Sequence, residues 1–306
     1  MRALSPMRAA PAMPPLRVVP PLPLLEALWL GTVSYRSAWE LQRSLATARC
    51  RGELADDCVV LLEHPPVYTV GRTGLAEHVP GGPDSLRALG AEYVEVDRGG
   101  SVTFHGPGQL VAYPVIRLAG AFPVAGAPQH GDVVRYLRAL EAALCALAAD
   151  LGVAAAPRPP YTGAWVGRDK LAAIGVKLSH GVTTHGLALN VTTDLAWFDP
   201  IVPCGISDGG VTSLAALGVT GVSPESLASA LTGHLAAALG RSVSPAGQAL
   251  LDLAAALPEP SRVAAPLVNP PQPPGTALAT GSPAPAAAVG PAFLAPSTGS
   301  SGPSST

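Results

Sequence analysis

Lysine is almost missing from this chain: Lys170 and Lys177 are the only two, against seventeen arginines. Charge of either sign is scarce, at 13% of residues, about half the ~25% of an average soluble chain. The net charge of -2 and the lack of a basic stretch exclude nucleic acid as a partner, since that partner asks for a basic face. Cysteine is also sparse. Cys50, Cys58, Cys145 and Cys204 have neither CxxC spacing nor the density of a disulfide scaffold, and read as reduced thiols of a cytoplasmic protein. No run approaches the ~20 apolar residues of a membrane span, so no membrane role is expected. Arg2, Arg8 and Arg17 precede an apolar stretch, but Pro20, Pro21, Pro23 and Glu26 interrupt it. That pattern fits neither a secretory signal nor an amphipathic transit helix.

Glycine and proline are abundant and unevenly placed. Residues 258–306 hold twelve prolines but only two charges, Glu259 and Arg262. With no apolar periodicity to offset its ordering entropy, that stretch is expected to be disordered. The predicted organisation is a disordered Pro/Ala-rich extension over 1–26, one ordered domain over 27–256, and a disordered Pro/Ala/Ser/Gly-rich tail over 257–306. Within the domain, residues 35–50 read as a helix with Trp39, Leu41, Leu45 and Ala46 on a core stripe. Cys58 to Leu62 is a continuous apolar run, hence a buried strand. Strands are also predicted at 93–96, 109–116, 163–166, 171–178 and 186–191. The helix at 132–151 carries leucines at i, i+4, i+7 spacing, with Asp132 to cap its start and Gly152 its end. A last helix opens at Ser223-Pro224 and stops at Gly240. The order gives an α/β domain, a mixed sheet with flanking helices and mainly antiparallel pairing in its second half.

Three segments carry more than structure. Residues 98–109, RGGSVTFHGPGQ, place four glycines in the ten positions between Arg98 and Gln109. Glycines let a backbone approach a ligand closely and expose its N–H groups, although such a string alone is more often an ordinary turn. It matches neither the Walker loop nor GxGxxG, so nucleotide binding has no motif here. The second segment, KLAAIGVK followed by THGLALN, holds both lysines. An ammonium, unlike a guanidinium, can lose its proton near neutral pH. The two lysines are seven apart on a strand, so opposite parity predicts that they face different sides. The third is PCGISD, residues 203–208. Packing accounts for Cys50, Cys58 and Cys145 as small buried hydrophobes. Cys204 lies in a Pro/Gly loop with no periodicity to bury it, the setting of a reactive thiol.

Together the blocks RGGSVTFHGPGQLVAYPVI, KLAAIGVKLSHGVTTHGLALNV and IVPCGISDGGVTSL, with the opening LGTVSYRSAWELQ, resemble the signature segments of the lipoyl(octanoyl) transferase family over about residues 28–240. That resemblance implies the catalytic fold shared with biotin and lipoate protein ligases. It implies Cys204 as the acyl-carrying nucleophile and Lys170 as the lysine that activates it. It also implies a substrate wall of Arg98, Gly99, Gly100, Ser101, Val102, Thr103, Phe104 and His105, then Ala173, Ile174 and Gly175, then Gly186, Leu187 and Ala188. Lys177 falls where any basic residue would serve. The implied donor is octanoyl-acyl carrier protein. The implied acceptors are lysines of lipoyl domains in 2-oxoacid dehydrogenase complexes and of the glycine cleavage H protein. Neither ATP nor a metal is expected.

Three rivals are to be separated from this reading. An ATP-dependent lipoate or biotin ligase would need an adenylate-binding segment and no nucleophilic cysteine. A silent lipoyl-domain binding module would be expected to lose Cys204 or Lys170. A Cys–His hydrolase would use His105 or His185, for which hydrogen-bonded core roles are equally open.

Overall fold

In the computed structural model the described residues are 21–203 and 208–257, with the side chains of Pro128 and Gln129 excepted. Cys204, nearly all of the N-terminal extension and nearly all of the tail therefore lie outside them.

The central strands are buried on both faces, which is why they read as unbroken apolar runs rather than alternating ones. In β2 (Asp57–Glu63) Val59 and Leu61 enter one core, while Cys58, Val60 and Leu62 enter another. In β6 (Gln109–Val115) Leu110 and Ala112 take the first side, Val111, Tyr113 and Val115 the second. These two lie in the middle of an eight-stranded sheet. Its other strands are β1 (Leu24–Thr32), β9 (Ala156–Arg158), β10 (Tyr161–Val166), β11 (Asp169–Ser179), β12 (Val182–Asn190) and β13 (Ser242–Pro245), in the order β13-β1-β2-β6-β12-β11-β10-β9. Strands β13, β1 and β2 run parallel, and from β2 through β6 to β9 every pairing is antiparallel.

Helices close both faces. The first core receives Tyr136, Leu140, Leu144 and Leu147 from α4 (Val133–Asp150), and Leu227, Leu231 and Leu235 from α5 (Pro224–Leu239). Asp132 caps α4 by accepting from the Arg135 amide at 3.0 Å, and Gly152 beyond its end has φ 76°. Ser223 caps α5 in the same way, and Gly240 ends it at φ 65°. The second core receives Ala38, Leu41, Leu45 and Ala48 from α1 (Tyr35–Arg51), and Leu250 and Ala254 from α6 (Gln248–Ala255). A smaller sheet, β4 (Glu92–Glu95), β3 (Val67–Val70) and β5 (Val102–His105), stands beside the large one over an aromatic core of Tyr68, Phe104, Trp197 and Phe198.

Several expectations need correction. The ordered chain begins before residue 27: β1 starts at Leu24, and Leu25 is fully buried against the first core. The helix at 224–239 is not the last, because α6 follows it. Its eight residues are too few for a firm periodic signal. Cys50 is exposed rather than buried, its Sγ 3.8 Å from the His180 carbonyl oxygen. The two lysines also share a side of the sheet. Register between β10 and β11 slips at Leu171, where Lys170 faces Trp165 but Ala172 faces Ala164. This bulge adds one residue and reverses parity. Leu171 and Ala172 both enter the first core, which returns Lys170 to the face of Ala173, Gly175 and Lys177.

Candidate active site

Strands β11, β12, β5 and β6 form the walls of a cavity of about 450 Å³, its solvent mouth included. The predicted residues Arg98, Gly100, Thr103, His105, Ala173, Ile174, Gly175, Gly186, Leu187 and Ala188 all line it, joined by Tyr35, Tyr113 and His185. Gly99, Ser101, Val102 and Phe104 do not. Strand alternation explains two of these: Val102 and Phe104 point into the aromatic core, where the Phe104 ring stacks on Trp197 at 5.1 Å. The Ser101 hydroxyl turns to His78 Nδ1 at 2.5 Å, and the Gly99 amide donates to the Val176 carbonyl at 3.0 Å.

Glycine is needed where backbones crowd. A Cβ on Gly186 would sit 2.1 Å from the Ala112 carbonyl oxygen, so β12 could not lie so close to β6. A Cβ on Gly175 would meet Arg98 Cδ at 3.0 Å. Arg98 instead lies across that bare strand, donating from Nη2 to the carbonyl and hydroxyl oxygens of Thr69, both at 2.8 Å.

A buried polar chain continues from Thr69. The Gln109 amide nitrogen faces two acceptors, Phe104 O at 3.2 Å and Asn190 Oδ1 at 2.9 Å. Its Oε1 therefore faces His105 Nδ1 at 2.7 Å, so Nδ1 carries the proton and Nε2 accepts from the Thr69 hydroxyl at 3.4 Å. Asn190 donates in turn to the Thr212 carbonyl at 2.9 Å, and the Thr212 amide donates to the Lys170 carbonyl at 3.0 Å. Arg98 at one end and Lys170 at the other are thus tied through one network.

Neutral rings cluster around Tyr35 on the cavity wall, with His64 at 5.2 Å and His105 at 6.0 Å between ring centroids. His185 Nε2–H donates to Asp97 Oδ1 at 2.9 Å, leaving Nδ1 to accept from the Tyr35 hydroxyl at 3.4 Å. Burial lowers the His185 pKa to about 4, against the opposing pull of Asp97. Asp97 is partly desolvated, yet hydrogen bonds from Lys177 and His185 keep its carboxyl below the usual range. His64 donates from Nδ1 to the Val33 carbonyl and accepts from the Tyr113 hydroxyl, both at 2.7 Å, and burial lowers it to about 4. His105 is likewise pushed well down by burial, aided by His64. These histidines have hydrogen-bonded wall and support roles. Among the described residues no group of three or more His, Cys, Asp or Glu is placed to hold a metal.

A small cavity beside the first shares Thr103, Ala173 and Ala188 with it and is also lined by Gln109, Asn190, Lys170, Phe198, Pro203 and Val211. A wider groove shares Lys170, Phe198, Pro203 and Val211 with that small cavity and is walled further by Trp165, Leu195, Ala196 and Ile201. Lys170 is buried, its Nζ 4.8 Å from the Trp165 ring centroid. Lys177 is 33% exposed and pairs with Asp97 at 2.5 Å outside the cavity, in a separate surface pocket with Trp39, Arg43 and Thr184. Residues 203 and 208–212, which flank the segment containing Cys204, both come to Lys170: Pro203 lines the same small cavity, and Val211 forms a parallel bridge with Lys170 itself. Gln109, Asn190, Asp97 and Tyr35 were absent from the predicted wall. The first two stood in plain view at the ends of their motifs.

Residues 34–236 match the family described as the lipoyl protein ligase A/B catalytic domain. An octanoyltransferase of Rubrobacter xylanophilus is 52% identical over 186 residues, spanning 60% of this chain and 79% of that one. Another, from Chloroflexus aurantiacus, is 50% identical over 191 residues, spanning 61% and 81%. Among solved structures, a putative lipoate protein ligase of T. acidophilum with bound lipoic acid superimposes with a TM-score of 0.54 at 17% identity, over 75% of this chain and 92% of that one. At that identity the likeness concerns the fold.

Proposed function

The chain belongs to the lipoyl protein ligase A/B catalytic-domain family, among its octanoyltransferases, and we propose that it moves an octanoyl group from octanoyl-acyl carrier protein to a lysine of a lipoyl domain through a thioester on Cys204. The observation that carries this reading is a shared lining: Lys170 and Pro203, the residue before Cys204, border one small cavity, whose wall also takes in Thr103, Ala173 and Ala188 of the larger one.

In the first half-reaction the Cys204 thiolate, stabilised by the Lys170 ammonium, attacks the donor thioester. The tetrahedral intermediate collapses, and the carrier's thiolate leaves with the proton of the Lys170 ammonium, which leaves Lys170 a neutral amine. In the second, the amine of the acceptor lysine attacks octanoyl-Cys204, loses a proton to Lys170, and leaves as the amide while the thiolate is regenerated. The alkyl chain enters the cavity past Thr103, Ala173 and Ala188 toward Gly175 and Gly186. His105 and His185 on its wall are neutral, and Arg98, the charged side chain lining it, is held by the Thr69 carbonyl and hydroxyl and the Gly99 carbonyl.

The donor thioester supplies the activation, so neither nucleotide nor metal enters the scheme. Acceptors are the lipoyl domains of 2-oxoacid dehydrogenase complexes and the glycine cleavage H protein, met in the cytoplasm. No helix among the described residues is long and apolar enough to cross a membrane. The competing reading is an ATP-dependent ligase on the same fold. Incubation with octanoyl-carrier protein and a lipoyl domain, without nucleotide, should give the octanoylated domain. Product from octanoate plus ATP, with none from the carrier thioester, would establish the ligase instead.

A further inference from the structure

Trp165 lies between two cations. The Lys170 ammonium is 4.8 Å from its ring centroid and the Arg158 guanidinium carbon 5.0 Å. Arg158 is itself held by a carboxylate: Nη2 donates to Asp208 Oδ2 at 2.6 Å, and the Tyr161 hydroxyl donates to Asp208 Oδ1 at 3.2 Å. Arg168 closes the cluster by donating to the Asp208 carbonyl from Nε at 3.0 Å and Nη2 at 2.6 Å. Asp208 is the first described residue after the segment holding Cys204.

The next residue, Gly209, packs close to the same ring at its Cζ3 edge. A Cβ on Gly209 would stand 2.9 Å from Arg158 Nη1, 3.3 Å from Trp165 Cζ3 and 2.4 Å from the Arg168 carbonyl oxygen, so only glycine lets the backbone settle there. The Gly210 amide donates to Asp169 Oδ1 at 3.1 Å, and its carbonyl accepts from the Lys170 amide at 2.9 Å. Residues 208–212 are therefore fastened, step by step, to the hairpin that carries Lys170.

An aromatic face attracts a cation, more strongly away from water, and Trp165 is only 2% exposed. Two cations beside one indole would repel each other. Asp208 balances Arg158 on its outer side, which leaves the ring available to orient the Lys170 ammonium.

We infer that Trp165 is a positioning residue for Lys170, held in place by the Arg158–Asp208 pair, and that it keeps the ammonium beside the segment leading out of Cys204. The inference rests on the proposed cysteine–lysine reaction. Full-length protein carrying Cys50→Ser, which removes the one exposed thiol among the described residues, would be alkylated with iodoacetamide across pH. Single-turnover formation of the octanoyl-enzyme would be measured alongside.

Trp165→Leu should raise the alkylation midpoint by about one pH unit and slow acylation near neutral pH about tenfold. Trp165→Phe, which keeps a ring, should recover most of both, and Asp208→Asn should fall between Leu and wild type. Wild-type behaviour of Trp165→Leu would overturn the inference, as would a Phe variant as shifted as the Leu variant. If Trp165→Leu does not fold, the Phe and Asn variants decide: an unchanged midpoint in both overturns it. Lys170→Met separates the two levels. A wild-type midpoint there would sink the cysteine–lysine reading itself, whereas a shifted Lys170→Met beside an unshifted Trp165→Leu sinks only the role of Trp165.

Discussion

Acidification should unfold this protein through the histidines around its cavity. His64 and His185 have pKa values of about 4 in the folded chain, and His105 is also lowered, each chiefly because burial penalises the charged form. Unfolded histidine titrates near ~6.5. Between these values the unfolded chain binds protons that the native chain refuses, so the stability is intact above pH ~6.5 and is lost as pH falls toward 4. At ~1.4 kcal/mol per unit, His64 and His185 are each worth at most about 3.5 kcal/mol. That is a large share of a typical stability of ~5–15 kcal/mol. Glu63 works slightly the other way, since burial raises its carboxyl. Between pH 7 and 5, Tm should drop by about 10 °C for a domain of this size. Scanning calorimetry at fixed ionic strength over pH 8 to 4 measures it directly. His64→Gln, which removes one titrating ring, should flatten the slope by roughly a third. A Tm constant within about 2 °C from pH 7 to 5 would refute the assignment of neutral, buried histidines.

The two lysines should respond differently to the same change. Lys170→Arg should severely impair both half-reactions, because a guanidinium cannot give up a proton near neutrality and its planar head fits poorly beside Trp165. Lys177→Arg should stay substantially active, since its half-exposed pair with Asp97 asks only for a cation. Single-turnover rates compare them, and the opposite ranking would mean the wrong lysine has been chosen. Gly186→Ala should cost ~3 kcal/mol, lowering Tm by about 6–12 °C, as its Cβ must push β12 off the Ala112 carbonyl. A Tm within about 2 °C of wild type would show that the strands can part there at little cost.

The elements legible in the sequence were those whose signal is local. The caps at Asp132 and Ser223, the stripes of α4 and α5 and the two-sided burial of β2 are each written within a few residues. Ten of the fourteen residues expected on the substrate wall line the cavity. The four that do not show what a contiguous motif hides: alternation in β5 turns Val102 and Phe104 away from their neighbours Thr103 and His105. The bulge at Leu171 was equally invisible, because parity counted along a strand assumes an unbroken ladder. Asp97, Gln109 and Asn190 act by contacts across 80 or more residues of chain, with Lys177, Asn190 and Gln109 respectively, and no spacing rule announces such partners.

The most direct test is the mass of the intact protein after mixing with octanoyl-carrier protein in the absence of acceptor. Wild-type chain should gain one octanoyl group on Cys204 and lose it to an added lipoyl domain, while Cys204→Ser should neither gain it nor support transfer. A Cys204→Ser variant that octanoylates the lipoyl domain at a near wild-type rate would contradict the covalent route.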